Sequence, residues 1–263
     1  MLSQNKFEIE AVLLGTGTSQ GVPVIGCECP VCQSANEKDK RLRSSLLLKI
    51  NGQNFVIDAG PDFRQQMLRE KVKSIRAILI THEHVDHIFG LDDIRSFNWL
   101  QKNSIDIYAE KRVQESIKRI FDYVFAEHKY PGVPNIELNI INDNSVRIGG
   151  IEFLPIRCFH HKLPVYGFRV GNLSYITDTN FIPDEGIEKL KGSEFLIINA
   201  LREKKHISHF NLQEALEMVE KIKPEKAWLT HISHEFGTHE KIQSILPENV
   251  FVAFDGLKIH LKD

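Results

Sequence analysis

Thr81-His82-Glu83-His84-Val85-Asp86-His87 sets three imidazoles and the carboxylate of Asp86 within six residues, directly after the apolar run that ends at Ile80. His82 and His84 are two apart, so in an extended segment their side chains point to the same side. Asp86 and His87 follow where the chain is expected to turn into a helix. Four donors this close can supply facing halves of two adjacent metal sites. Imidazole and carboxylate suit Zn, Mn or Fe(II), and the residues alone do not choose among them. A single histidine here would read as part of a solvated loop; this spacing reads as ligand supply.

A second cluster, Cys27-x-Cys29-x-x-Cys32, crowds three thiols into six residues, where mutual pairing would be strained. Three thiolates want a fourth ligand to close a tetrahedral zinc site. His234, three residues beyond His231, is the candidate. One zinc there would pin the N-terminal loop onto the strand end that carries His231. Cys158 is expected in a strand, as a small core residue. Twelve histidines are the compositional oddity of the chain, and metal ligation or acid/base chemistry would account for them.

The elements that must position these groups are short β-rich segments: Phe7–Leu14, Ser45–Ile50, Asn54–Ile57, Arg76–Thr81, Ile105–Ala109, Ile151–Arg157, Leu173–Thr177, Glu194–Asn199, Lys226–Thr230 and Asn249–Phe254. Helical patterns lie between them. Pro61–Arg69 opens on a proline suited to a first turn. Glu110–Val124 carries apolar residues at helical spacing, and Asn211–Ile222 has an N-cap in Asn211. Strands dominate early and alternate with helices later, which predicts an α/β (α+β) fold of mixed sheets covered by helices. Asp58, His82, His160, Asp178 and His231 all fall just after predicted strand ends, where ligand sites form in open α/β sheets.

Composition narrows the class. With 33 Lys+Arg against 35 Asp+Glu, no bulk basic field exists to hold nucleic acid or an anionic membrane. The N-terminus lacks the basic start and unbroken apolar stretch of a secretory signal. No apolar run is long enough to cross a bilayer. Without a linker, low-complexity tract or clear repeat, residues 1–263 read as one domain, expected to be reduced and cytoplasmic. Helix Glu110–Val124 and the stretch to Pro134 are candidates for a lid or for the contact of a homodimer, against ordinary core packing.

His82-x-His84-x-Asp86-His87 resembles the signature of the metallo-β-lactamase fold superfamily of hydrolases. Phe55-Val56-Ile57-Asp58-Ala59-Gly60 is similar to the early strand whose Asp supports the metal loop. His160, Asp178 in Ile176-Thr177-Asp178-Thr179, and His231 follow in the family's order. The resemblance implies a four-layer αββα sandwich of two mixed sheets flanked by helices. It also implies two divalent ions, Zn or Mn: one held by His82, His84 and His160, the other by Asp86, His87 and His231, with Asp178 bridging. The rival at the third position is His161; His160 is preferred because Lys162-Leu163 and Tyr166-Gly167 then fit the family pattern.

Leu14-Gly15-Thr16-Gly17-Thr18-Ser19, the Cys cluster, Arg43-Ser44-Ser45, Thr230-His231-Ile232-Ser233-His234 with Phe236, and Phe254-Asp255-Gly256 together resemble one branch. That branch contains the phosphoribosyl cyclic phosphate phosphodiesterases. The resemblance implies hydrolysis of a small cyclic phosphodiester, with a structural zinc on Cys27, Cys29, Cys32 and His234. Besides the ligand Asp86, it places His209 in the catalysis, as general acid or phosphate-binding group, with His206 as the nearby rival. Two further readings stand beside it. A tRNA 3′-end endonuclease would carry a long arm between the third and fourth ligand motifs, where only seventeen residues separate His160 from Asp178. A metal-bearing binding protein would need no proton donor.

Overall fold

The structure is a computed structural model describing residues 8–262; Phe7, the start of the first predicted strand, lies outside the described residues. Runs of β-branched and aromatic residues become strands of two seven-stranded sheets. The first sheet holds β1 (Glu8–Gly15), β2 (Ser45–Ile50), β3 (Gln53–Ile57), β4 (Ala77–Leu79), β5 (Ile105–Ala109), β6 (Ile136–Ile140) and β14 (Lys258–Lys262). The second holds β7 (Val146–Ile148), β8 (Ile151–His160), β9 (Leu163–Val170), β10 (Leu173–Ile176), β11 (Phe195–Asn199), β12 (Lys226–Thr230) and β13 (Val250–Val252).

Spatial order is β14-β1-β2-β3-β4-β5-β6 in one sheet and β13-β12-β11-β10-β9-β8-β7 in the other. Each sheet is antiparallel over one half and parallel over the other. The parallel halves carry the helical crossovers, as parallel pairing requires. Helices α1 (Phe63–Arg69), α2 (Val85–Ile88), α3 (Arg95–Gln101), α4 (Lys111–Ile120) and α5 (Asp122–Phe125) pack on the first sheet. Helices α6 (Asp184–Leu190), α7 (Leu212–Ile222) and α8 (His239–Gln243) pack on the second.

Three apolar cores follow from this layering. One lies between the sheets, with Phe55, Phe153, Tyr166, Phe168 and Tyr175 as its large members. The other two lie between each sheet and its helices. Three cores make four layers, the αββα sandwich expected. Among the described residues, no helix is long and apolar enough to cross a membrane.

Local departures have physical reasons. α1 starts at Phe63 and not at Pro61, because Asp62 accepts from Arg43 N–H at 2.8 Å and pairs with its guanidinium at 3.0 Å. The single helix expected over Glu110–Val124 breaks at Phe121, whose φ −109° and ψ 45° are not helical, and whose ring joins the core. β8 runs three residues past the predicted Arg157 to include buried Cys158 and half-buried His160. β9, with Pro164 and Gly167 inside it, was not predicted; seven residue pairs with β8 hold it in place.

Candidate active site

The loop after β4 is folded back by hydrogen bonds that its own sequence supplies. Thr81 N–H donates to Asp58 Oδ1 at 2.8 Å and Thr81 Oγ1 donates to Oδ2 at 2.9 Å. Asp58 also receives His87 Nδ1–H at 2.7 Å, with both side chains buried. That bond turns His87 Nε2 toward Asp86 and Asp178, whose carboxylate oxygens each lie 3.3 Å away. His82 Nε2 and His84 Nδ1 approach to 3.0 Å, so the two-residue spacing does put both rings on one side.

The second sheet closes the constellation from across. Asp178 follows β10 and its Oδ2 lies 3.2 Å from His231 Nδ1 at the end of β12. His160 ends β8, its ring 5.2 Å from that of His84 and 5.8 Å from that of His82. Asp58, Asp178 and His231 share a left-handed backbone, with φ of 65°, 51° and 55°. This region is uncommon for residues other than glycine. Here it bends the chain sharply at three strand ends, aiming Asp178 and His231 at a common centre and Asp58 at the outer nitrogen of His87.

His160, not His161, joins the cluster. His161 takes the turn between β8 and β9 with φ 57° and is exposed. His160 Nδ1–H instead donates to the carbonyl of Ser208 at 2.8 Å, which leaves Nε2 free as a donor atom. The next residue, His209, is buried, its ring 4.5 Å from His160 and stacked at 4.7 Å on His231. It offers a nitrogen within 4.8 Å of ligand atoms on His160 and Asp178. His206 is farther out and half-buried, 5.1 Å from the His209 ring.

Several supporting residues were not legible as such. Ser44 Oγ donates to the Gly17 carbonyl at 2.9 Å and faces His231 Nδ1 at 3.2 Å. Its one proton being committed, Ser44 can only accept from the imidazole. Both groups facing Nδ1, Ser44 and Asp178, are therefore acceptors, so that nitrogen carries the proton. Ser45 Oγ donates to the Asp58 carbonyl at 2.7 Å, holding the bend there. The Arg43-Ser44-Ser45 motif thus touches both halves of the site; its only sequence signal was membership in a motif.

Electrostatics favour a cation at this centre. Burial depresses His87, but the carboxylates of Asp178, Asp58 and Asp86 outweigh it and hold the imidazole well above its ordinary range. Burial likewise raises Asp178, yet His231 and His87 hold it well below the carboxylate range. Burial and then His87 keep His82 well below the usual imidazole range, and burial lowers His84 and His231. His87 Nε2 is buried without a hydrogen-bond partner. A buried nitrogen aimed between two carboxylates suits a divalent ion, which would give all of them a partner.

The Cys cluster also converges. Sγ of Cys27, Cys29 and Cys32 lie 3.3, 3.5 and 3.6 Å from His234 Nδ1. A tetrahedral Zn site with ordinary bond lengths has sulfur–nitrogen edges of about 3.6 Å. Cys29, whose thiolate accepts from Cys32 N–H, is lowered to about 6. The donor set and its spacing fit a tetrahedral thiolate site.

A sequence family described as beta-lactamase superfamily domain matches residues 53–232, from before Asp58 to just past His231. The chain also superposes on the crystal structure of a new diphosphatase from the PhnP family, with TM-score 0.92, 36% identity and 98% of both chains covered. The chain belongs to the PhnP branch of the metallo-β-lactamase fold superfamily. The His/Asp group of this metallo-β-lactamase fold lies where the two sheets meet. An octanoyltransferase from Porphyromonas gingivalis is 39% identical over 253 residues, 95% of this chain and 51% of that protein. A ribonuclease Z from Prochlorococcus marinus is 29% identical over 168 residues, 59% of this chain and 47% of its own. The chain thus spans about half the length of these curated relatives.

Proposed function

We propose that this hydrolase cleaves a small cyclic phosphodiester, of the phosphoribosyl cyclic phosphate or cyclic nucleotide type, using two divalent ions. The observation that carries the reading is the meeting of His82, His84, Asp86, His87, His160, Asp178 and His231 around a buried nitrogen without a partner, with His209 beside them. His82, His84 and His160 would hold one ion, and Asp86, His87 and His231 the other, with Asp178 between. Zinc or manganese suits these donors; such ions supply Lewis acidity to phosphoryl oxygens and acidify water near neutral pH. Cys27, Cys29, Cys32 and His234 would hold a separate structural zinc.

The protein's own groups then have defined tasks. Asp58 and Ser44 orient His87 and His231. His209 is pushed down to about 2 by burial and by His231, so it meets the substrate neutral, as a hydrogen-bond donor. A phosphoryl anion beside it favours its protonated form. It can then hand a proton to the leaving oxygen. A diphosphatase among the similar structures is consistent with phosphoryl chemistry. The small substrate is also consistent with the short link between His160 and Asp178, which is the β9–β10 hairpin with no inserted arm.

The test is a panel run with the ion-loaded protein and with a chelator-stripped control. It comprises bis-p-nitrophenyl phosphate, ribose 1,2-cyclic phosphate, 2′,3′-cyclic nucleotides, a nucleoside diphosphate and pre-tRNA. Metal-dependent turnover of a cyclic diester above the rest is expected. Preference for pre-tRNA would move the reading to the endonuclease, and no turnover on any member would leave a binding protein. A cytoplasmic setting and a homodimer belong to the same proposal; equilibrium sedimentation reads the latter.

A further inference from the structure

His82 and His84 reach the centre from the first sheet and His160 from the second, with ring separations of 5.8 and 5.2 Å. Asp58 and Ser44 steady His87 and His231. Among the described residues the His84 ring, by contrast, has no hydrogen-bond partner except His82, so its main chain must place it. Glu83, between the two ligands, points to the opposite side of this extended stretch. There it is ion-paired through Oε1 with Arg112 Nη1, in the first turn of α4. Nη2 of the same guanidinium donates to the Pro164 carbonyl at 2.7 Å. Pro164 is paired with Phe159, and the next pair along that ladder is His160 with Leu163.

One side chain thus reaches from the residue between two ligands to the hairpin end that carries the third. Two residues away along both segments, Tyr166 N–H donates to the Thr81 carbonyl at 3.1 Å. The ligand loop and β9 are therefore tied twice, once by backbone and once by the guanidinium. Glu110 anchors Arg112 from behind: its carboxylate lies 3.5 Å from Arg112 Nη2 and 2.9 Å from Arg157 Nη2. Arg157 stands on β8, three residues before His160.

Resting on the two-ion reading, we infer that Arg112 is a positioning residue that holds His82 and His84 at their working distance from His160. A guanidinium is planar and presents its N–H groups in a fixed fork, so acceptors on Nη1 and Nη2 are kept at one separation. A lysine ammonium on its flexible stem would hold neither at a set distance from the other. The effect is selective for one ion, because Asp58 and Ser44, which orient His87 and His231, are not among the polar partners of Arg112. A half-exposed ion pair contributes little to stability by itself. As mere surface decoration its loss would leave both ions alone; as a spacer its loss weakens one of them.

Manganese titration followed by electron paramagnetic resonance measures the two binding steps, with His84→Ala and His87→Ala marking which step is which. Manganese is chosen because thiolates select zinc, which keeps the Cys cluster out of the count. Arg112→Ala, Arg112→Lys and Glu83→Ala should each weaken the step marked by His84→Ala about tenfold or more, as loss of an outer support implies. The step marked by His87→Ala should stay at its wild-type value. Glu83→Gln, which keeps an acceptor oxygen for Arg112, should recover most of the affinity. Equal weakening of both steps, or affinities matching wild type, overturns the role of Arg112. If wild type binds fewer than two manganese ions, the two-ion reading fails separately. Proton–nitrogen correlation spectra of the imidazole rings then decide Arg112. Signals of His82, His84 and His160 should shift in Arg112→Ala while those of His87 and His231 hold, and unmoved or uniformly shifted signals overturn it.

Discussion

His160 Nδ1 lies 2.8 Å from the carbonyl oxygen of Ser208, so one hydrogen bond joins a candidate ligand to the segment that presents His209. Because that bond fixes which nitrogen faces the centre, His160→Ala should lose bound metal and turnover together. His161→Ala should keep both, since the exposed turn at 161 takes no part in the cluster. Elemental analysis of the two purified variants checks this; equal metal loss in both would reverse the assignment.

His209 touches the reacting region without being needed to hold the ions. His209→Ala should lower turnover of a cyclic diester about 100- to 10,000-fold, the usual range for a positioned proton donor. Its metal content should stay at the wild-type level. A variant that loses an ion instead would make His209 a ligand, which its distance from His160 and Asp178 also permits.

Ser44 can only accept from His231, so removing its hydroxyl frees the imidazole to rotate or to change tautomer. Ser44→Ala should weaken retention of one of two ions about 10- to 100-fold. Ser44→Thr, which keeps the oxygen, should recover most of it. Competition against a chromogenic chelator reads both values, and identical affinities in all three proteins would rule the role out.

The thiolate cluster predicts a separable effect. Cys32→Ser should bring the zinc content down by one ion per chain. With the loop no longer tied to His234, Tm should drop by about 5 °C or more, since 1 kcal/mol is worth ~2–4 °C at this size. Calorimetry beside metal analysis tests the pair; lost zinc with an unchanged Tm would deny it a stabilising role.

Stability should also depend on His239, buried at the start of α8 with Nδ1 unpartnered. Burial, with Arg41 and Lys38 nearby, lowers it from the ordinary 6.5 to about 4. A folded value below the free one means that the unfolded chain binds the proton more readily. Its contribution is complete above pH 6.5 and is lost as pH falls toward 4. His239→Gln should remove about 1–2 kcal/mol of that acid dependence. Urea titrations of both proteins at pH 7 and pH 4.5 measure the difference, and parallel pH profiles would refute it.

What was legible in the chain is what local chemistry encodes. His82, His84, Asp86 and His87 stand together in sequence, and Asp58, Asp178 and His231 each close an apolar run, so strand ends and donors could be read at once. The left-handed turns at those three positions could not, because neither aspartate nor histidine signals such a backbone as glycine does. Ser44, Ser45 and Ser208 act through partners distant in sequence, which no local pattern reveals. Phe121 scanned as part of a helical stripe, yet burial of its ring comes with the break between α4 and α5. β9 escaped notice because Pro164 and Gly167 weaken a strand signal that pairing with β8 and β10 overrides.

Gly17 forms bridges with Arg43, which leads into the first sheet, and with Ile232, just beyond β12 of the second. A methyl group there would stand 2.9 Å from Arg41 Cβ. One residue without a side chain therefore works as the pin of a caliper whose jaws are the two ligand-bearing sheet ends. The gap between the jaws is set by backbone contact. Ions of similar radius would then have to fit the protein's spacing, and the choice between them would fall to supply in the cell and to how fast each exchanges its water.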